Sequence, residues 1–221
     1  MNAYEKIISV VQQVAVGKKT TQEAINEIRT EDLNEVLFSS AQESSSGPLA
    51  RGIAASPGAA TGKLCLSVDA VLDTVDAGEE AIMVAMETGP ADEPGMRWSA
   101  GIVTAHGGLA SHAAIYSRGL GLPAVCGVTD LTVQESSITI RSTVIEEGDI
   151  ISIDGATGEL FKGGIEISAA ERPEELDTLL RWCDEVRTGS LGVRANADTA
   201  EEAAESAKSG ADGIGLCRTE H

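Results

Sequence analysis

Basic residues are scarce in this chain: 16 lysines and arginines stand against 35 aspartates and glutamates, a formal charge of −19. Such a surface repels phosphate backbones and anionic headgroups, which excludes nucleic acid and membranes as main partners. Cysteines are few and scattered. Cys65, Cys126, Cys183 and Cys217 form no Cys-x-x-Cys pair, so neither a zinc site nor a disulfide framework is indicated, and they read as reduced core thiols of a cytoplasmic protein. No apolar run is long enough to cross a bilayer, and the start Met1-Asn2-Ala3-Tyr4-Glu5-Lys6 lacks a basic stretch followed by an apolar signal core. There is no Gly-x-x-x-x-Gly-Lys-Ser/Thr loop to cradle a nucleotide. There is also no Gly-x-Ser-x-Gly elbow, and Ser56, beside Pro57 and Gly58, is read as a turn residue rather than a nucleophile.

What is present is enough for one full domain with smaller pieces around it: 221 residues, 42% of them hydrophobic. Ile7, Ile8, Val10, Val11 and Val14 fall at helical spacing. A capped helix follows from Thr21-Gln22-Glu23-Ala24, and the pattern resumes over Glu31 to Leu37. Residues 39–47 are polar and serine-rich, a linker spanning about 15–18 Å as a flexible coil. Arg51 to Leu66 reads as strand, Pro-Gly turn and strand, and Val68 to Val75 as a short helix. Ala81 to Met86 and Pro123 to Val128 read as strands, and Gly148 to Phe161 as a hairpin. A helix over 173–187 precedes a strand-helix-strand unit at Leu191–Ala197, Thr199–Lys208 and Asp212–Leu216.

One stretch concentrates chemistry. The apolar run Gly101 to Ala105 turns at Gly107-Gly108, after which Ser111 stands where a helix N-cap belongs, ahead of Ala113-Ala114-Ile115-Tyr116. His112 then occupies the first helical turn, where free N–H groups and the helix dipole favour an anion carried on its ring. Neutral imidazole is a competent nucleophile at physiological pH. A metal site on His106 and His112 is disfavoured, because no matched carboxylate or thiolate ligands accompany them.

Thr104, Gly107-Gly108, Ser111-His112-Ala113-Ala114 and Arg118 with Gly121 together resemble the phosphohistidine loop of the phosphoenolpyruvate (PEP)-utilising enzymes. That group comprises pyruvate phosphate dikinase, PEP synthase and enzyme I of the sugar phosphotransferase system. The resemblance implies that His112 accepts a phosphoryl group and passes it on, with Thr104, Gly107, Gly108, Ser111 and Arg118 supporting the loop and Thr88 as a neighbour. It implies a swivelling β/β/α phosphohistidine domain over 48–163, entered through the Ser56-Pro57-Gly58 segment. A helical lead-in over 1–38 and a linker over 39–47 would precede it. A linker helix over 164–189 would follow, then the first βαβ unit of an incomplete β/α (TIM) barrel over 190–221, where Arg194 and Arg218 would contact substrate. A barrel needs ~200 or more residues.

The spelling Ala110-Ser111-His112 and the ending Leu216-Cys217-Arg218-Thr219-Glu220-His221 are similar to the dikinase branch. Its reaction converts ATP, phosphate and pyruvate to AMP, diphosphate and PEP. The alternatives are a PEP synthase-like carrier and a stand-alone phosphohistidine module without its own turnover. No cofactor is expected in this chain, while magnesium and ATP belong to the complete enzyme. The expected partners are an ATP-grasp nucleotide-binding domain and a complete PEP/pyruvate-binding barrel, in the same or a separate chain, with a homodimer left open. Two departures stand out: His106 where dikinases often carry arginine, and Ala110 where many carry a threonine that a regulatory protein phosphorylates.

Overall fold

The computed structural model of the chain describes residues 1–42, 47–187, 191–208 and 210–217. Its contacts divide it into two compact units, residues 1–4 with 29–172 and residues 5–28 with 173–221. The helical lead-in is therefore shared between them.

The larger unit is built on an eight-stranded mixed sheet. From edge to edge its strands are Ala50–Arg51, Glu159–Lys162, Ile150–Asp154, Ala59–Cys65, Ala81–Ala85, Gly101–Thr104, Ala124–Cys126 and Ile53–Ser56. The four from Ala59–Cys65 to Ala124–Cys126 run parallel, and antiparallel strands flank them on both sides. Parallel strands are covered on both faces, which is why Ala81–Ala85 and Ala124–Cys126 read as unbroken apolar runs. Successive side chains point to opposite faces. Ile82, Val84 and Val103 join Ile151, Ile153 and Leu160 in one core, while Ala81, Met83 and Ile102 enter a second core with Val71, Met96, Ala113 and Ala114. That second face carries the helices Val68–Asp76, Glu93–Trp98 and His112–Leu120.

The first face is closed by a small antiparallel sheet of Leu131–Val133, Ser137–Ile140 and Thr143–Glu146, whose Ile138, Ile140 and Ile145 are fully buried. Sequence reading did not anticipate this sheet. Its turn residues are Asp130 and Arg141, both in the left-handed region at φ 66° and 55° and joined by an Arg141 Nε to Asp130 Oδ2 pair of 3.3 Å. Glycine or asparagine at those positions would have announced the turns.

Composition marks Ser39 to Gln42 as the start of a free linker, but in the structure these residues are held. Ser40–Ala41 pairs antiparallel with Ile167–Ser168, and Gln42 N–H donates to the Glu166 carbonyl at 2.9 Å. Ser39 Oγ bonds both the N–H and the carbonyl of Ala59, at 2.9 and 3.1 Å. Asp154, 2% exposed, accepts from Ala41 N–H at 2.8 Å with one carboxylate oxygen, and from Ala156 and Thr157 N–H at 2.9 Å with the other. Glu43 to Ser46 lie outside the described residues.

In the smaller unit, the helix Thr21–Glu27 packs on Glu175–Arg187. Its N-cap is Thr20, one residue before the expected cap. Thr20 Oγ1 accepts from Glu23 N–H at 3.2 Å, and the Glu23 carboxylate takes Thr20 N–H at 2.8 Å. Those Thr20 bonds hold the Glu23 carboxyl below the usual range. The strands Arg194–Ala195 and Gly213–Ile214 run parallel with the helix Ala200–Lys208 between them. No residue of that helix is buried, and Leu191, Val193, Ile214 and Leu216 are exposed. Of the four free cysteines, Cys65 and Cys126 are buried as expected, whereas Cys183 is half-buried and Cys217 exposed.

Candidate functional site

The site lies at the carboxyl ends of Ala81–Ala85 and Gly101–Thr104. There the two outgoing chains stay in register through Ala105 N–H to Ala85 O at 3.0 Å and His106 N–H to Met86 O at 2.8 Å. Crevices beyond the carboxyl ends of parallel strands are where open α/β sheets place ligands. One outgoing loop carries Thr88 and leads into the helix Glu93–Trp98, and the other carries the two glycines and His112.

The second loop is shaped by its backbone. Gly107 has φ 119°, and a Cβ there would meet Ser111 Cβ and Oγ at 3.0 Å. Gly127, φ 60°, lies under it, where a Cβ would fall 2.6 Å from the Gly107 carbonyl oxygen. Gly108 is different, because a Cβ there would meet nothing within 4 Å. Ser111 caps the helix His112–Leu120 by accepting Ala114 N–H at 3.4 Å, and Gly121 closes it in the left-handed conformation. Arg118 reaches back from the last turn, donating to Ala55 O at 2.9 Å and Leu109 O at 2.6 Å. Its guanidinium therefore fastens the loop to the sheet edge. Thr104 is fully buried at the strand end, its hydroxyl without a hydrogen-bond partner.

His112 is gripped at both ring nitrogens. Thr88 Oγ1 stands 3.1 Å from Nδ1, and Glu93 Oε1 stands 3.2 Å from Nε2. The Tyr116 ring stacks on the imidazole, centroids 5.8 Å apart and planes 21° apart, and its hydroxyl donates to the Glu93 carbonyl at 3.4 Å. Burial, and then the Glu93 charge, push the Tyr116 phenol up, so it stays a protonated donor. The His112 side chain remains 29% exposed, enough for a reactant to reach one edge. Thr88, named from sequence as a neighbour only, is a direct partner. Glu93 and Tyr116 were not among the expected site residues. The signal for Glu93 was an acidic residue between a Glu-Thr and a Met, and for Tyr116 its place four residues after His112, on the same helical face.

Of the other expected site residues, Arg194 lies in the smaller unit, its guanidinium over Gly213, where a Cβ would meet Nη1 at 2.7 Å. Arg218 lies outside the described residues. Near Arg194, Asp212 accepts two hydrogen bonds from Arg187, at 2.6 and 3.3 Å, and one from Val193 N–H at 2.7 Å. The Arg187 bonds, then the Val193 bond, hold its carboxyl below the usual aspartate range. Among the described residues no three His, Cys, Asp or Glu side chains group as metal ligands, and none of the helices is long and apolar enough to cross a membrane.

Residues 77–158 match the family described as PEP-utilising enzyme, mobile domain, and residues 171–221 match PEP-utilising enzyme, PEP-binding domain. Pyruvate, phosphate dikinase of Clostridium symbiosum is 39% identical over 93% of this chain and 24% of its own length. The Rickettsia conorii dikinase is 41% identical over 97% of this chain and 24% of its own, and the chloroplastic enzyme of Flaveria pringlei 40% over 96% and 22%. The chain thus spans about a quarter of the length of the curated relatives it matches. A solution structure of an Enzyme I protein overlaps 49% of this chain and 38% of its own at 22% identity, with a TM-score of 0.28, and bears no weight.

Proposed function

From the premise that this chain carries the mobile and PEP-binding sequence of the PEP-utilising enzymes, we propose that it is the phosphoryl-carrier segment of a pyruvate phosphate dikinase-like transferase. His112 takes a phosphoryl group at an ATP/phosphate site and delivers it at a pyruvate/PEP site. The observation that carries this reading is the differential hold on the imidazole. Nδ1 faces the Thr88 hydroxyl inside the site, and the Nε2 edge faces a half-exposed side chain.

With its proton on Nδ1, donated to Thr88 Oγ1, the ring presents the Nε2 lone pair as nucleophile. The N–P bond forms as the P–O bond to the departing phosphate or enolate oxygen breaks, and that oxygen keeps the bonding pair. The added phosphoryl charge sits at the start of the helix His112–Leu120, where first-turn N–H groups and the dipole favour it. Ser111 and Arg118 keep that helix start and its loop in place.

In this reading residues 48–163 form the swivelling domain. Residues 39–47 and 164–189 link it to its neighbours, and 190–221 are the first βαβ unit of a PEP/pyruvate barrel in which Arg194 and Arg218 bind substrate anions. The exposed apolar residues of that unit fit a place where further barrel strands pack. Magnesium and ATP would be held by an ATP-grasp domain and by the rest of the barrel. The chain by itself therefore turns over neither pyruvate nor PEP.

The test supplies the chain with a complete dikinase whose own phosphohistidine is replaced, together with labelled PEP. Acid-labile, base-stable phosphate should appear on the 221-residue chain and be absent from His112→Asn. Equal labelling of the two would overturn the assignment.

A further inference from the structure

The nitrogen that the carrier reading requires to react is the one already in contact with a carboxylate. Glu93 Oε1 lies 3.2 Å from Nε2. An attacking atom and its target stand ~3–3.5 Å apart in a near-attack arrangement, so Glu93 fills the place an incoming phosphorus would take. Nε2 has a single in-plane orbital. When it holds a proton it can donate to a carboxylate, and when it holds the lone pair it faces that carboxylate unfavourably.

We propose that Glu93 is a positioning residue that guards Nε2. At rest its carboxylate accepts the Nε2–H of His112 while the Thr88 hydroxyl donates to Nδ1, which keeps the ring in the tautomer that cannot attack phosphorus. Activation moves the proton. Nδ1 first takes a proton from solvent, passing through an imidazolium whose Nδ1–H donates to Thr88 Oγ1. Nε2 then gives its proton to the Glu93 carboxylate, which passes it to water as it swings out, so one proton enters the ring as one leaves and the ring is neutral before and after.

The surroundings suit a side chain that moves on a backbone that does not. The backbone at Glu93 is fixed by the Tyr116 hydroxyl on its carbonyl, and the preceding turn by Gly89 N–H donating to the Asp92 carboxylate at 2.8 Å. The Glu93 side chain is 43% exposed and has water to turn into. After transfer, the Glu93 carboxylate and the phosphoryl oxygens are like charges at short range. That repulsion favours handing the phosphoryl group on, and by hydrolysis to water it shortens the life of the phosphohistidine. For charges this exposed it amounts to about a threefold to tenfold effect.

The inference rests on the carrier reading, yet it can be tested without partner domains. Ring ¹⁵N shifts of His112, assigned by difference from His112→Asn, should report the Nε2–H tautomer in the parent chain and a shift toward Nδ1–H in Glu93→Ala. Potassium phosphoramidate, a small phosphoryl donor, should load His112 of Glu93→Ala about threefold to tenfold more than the parent, and the phosphohistidine of both Glu93→Ala and Glu93→Gln should live longer by a similar factor. Glu93→Gln is nearly isosteric and keeps the acceptor oxygen, so it should retain the resting tautomer while losing the charge effect. A parent chain already in the Nδ1–H tautomer, or loading and lifetime within twofold across the three chains, would overturn the guard. A chain that behaves as expected toward phosphoramidate but accepts nothing from PEP through a complete dikinase would remove the carrier reading and leave the guard supported.

Discussion

Asp154 is the residue whose replacement should most clearly separate the folding of the larger unit from the tethering of the Ser40–Ala41 segment. It ends the strand Ile150–Asp154, and its two carboxylate oxygens have different duties. Oδ1 closes the local turn through Ala156 and Thr157 N–H, and Oδ2 reaches 113 residues back to Ala41 N–H. In Asp154→Asn an amide oxygen can still close the turn, but the amide nitrogen then faces Ala41 N–H, donor against donor. A hydrogen bond to a charged group contributes about 1.5–3 kcal/mol net, so the linker pair should loosen by that amount with the turn intact. In Asp154→Ala all three N–H groups lose their acceptor. Each is partly reached by water, and the combined cost should be about 3–5 kcal/mol, a large share of a domain's about 5–15 kcal/mol.

Because the chain folds as two compact units, a single global unfolding free energy would blend them, and residue-level amide exchange is the appropriate assay. At about 1.4 kcal/mol per decade, Asp154→Asn should speed Ala41 exchange about 10- to 100-fold while leaving Ala156 and Thr157 within a few-fold of the parent. Asp154→Ala should speed all three. Exchange at Ala41 unchanged within twofold in Asp154→Asn would show that the Asp154 bond does not hold the linker, and that Ser40–Ala41 is secured by its pairing with Ile167–Ser168 alone.

The difference in reach between the two carboxylate oxygens also explains what could be read from the chain and what could not. The stretch from Gly101 to Gly121 was legible because its determinants are local: an apolar strand, glycines at a positive-φ turn, a serine cap and a left-handed glycine stop. The resemblance added a role for His112 but not the grip on it. Glu93 lies 19 residues away at the start of a different helix, and only the parallel register of Ala81–Ala85 with Gly101–Thr104 brings the two together. The pairing of Ser40–Ala41 with Ile167–Ser168 is invisible for the same reason, two polar segments more than 120 residues apart with no apolar pattern to mark them. The small sheet over 131–146 was missed on different grounds. Its hairpin turns through Arg141, which adopts the left-handed conformation and pairs with Asp130, so the usual turn residue is absent. The position of Ile53–Ser56 at the far edge beside Ala124–Cys126 is likewise a matter of topology, which alternation within a strand cannot specify.

Arg118→Lys removes a fork that serves Ala55 O and Leu109 O together. It should cost about 1 kcal/mol and speed amide exchange from Leu109 to Ser111, while unchanged exchange there would show that the loop needs no tie. In the smaller unit the Asp212 carboxyl is depressed by Arg187. Its contribution is full above the unfolded aspartate value of about 3.9 and is lost as pH falls through the lower folded value. A carbon-detected titration should place its midpoint below ordinary aspartate, and a midpoint at or above the ordinary value would exclude the pair in solution. The glycines of the histidine loop should divide by structural need. Gly127→Ala puts a methyl 2.6 Å from the Gly107 carbonyl at a φ of 60°, so backbone strain and displacement of the loop together should cost about 2–4 kcal/mol, read as a lower unfolding midpoint of the larger unit. Gly108→Ala meets nothing within 4 Å and should leave that midpoint unchanged, yet its methyl projects into the open space of the same loop, where on the proposed carrier reading a docking partner would approach His112. Slower phosphoryl loading from a complete dikinase, with loading from phosphoramidate unaltered, would assign that open space to partner clearance. An equal slowing with both donors would show that the methyl acts on the histidine itself.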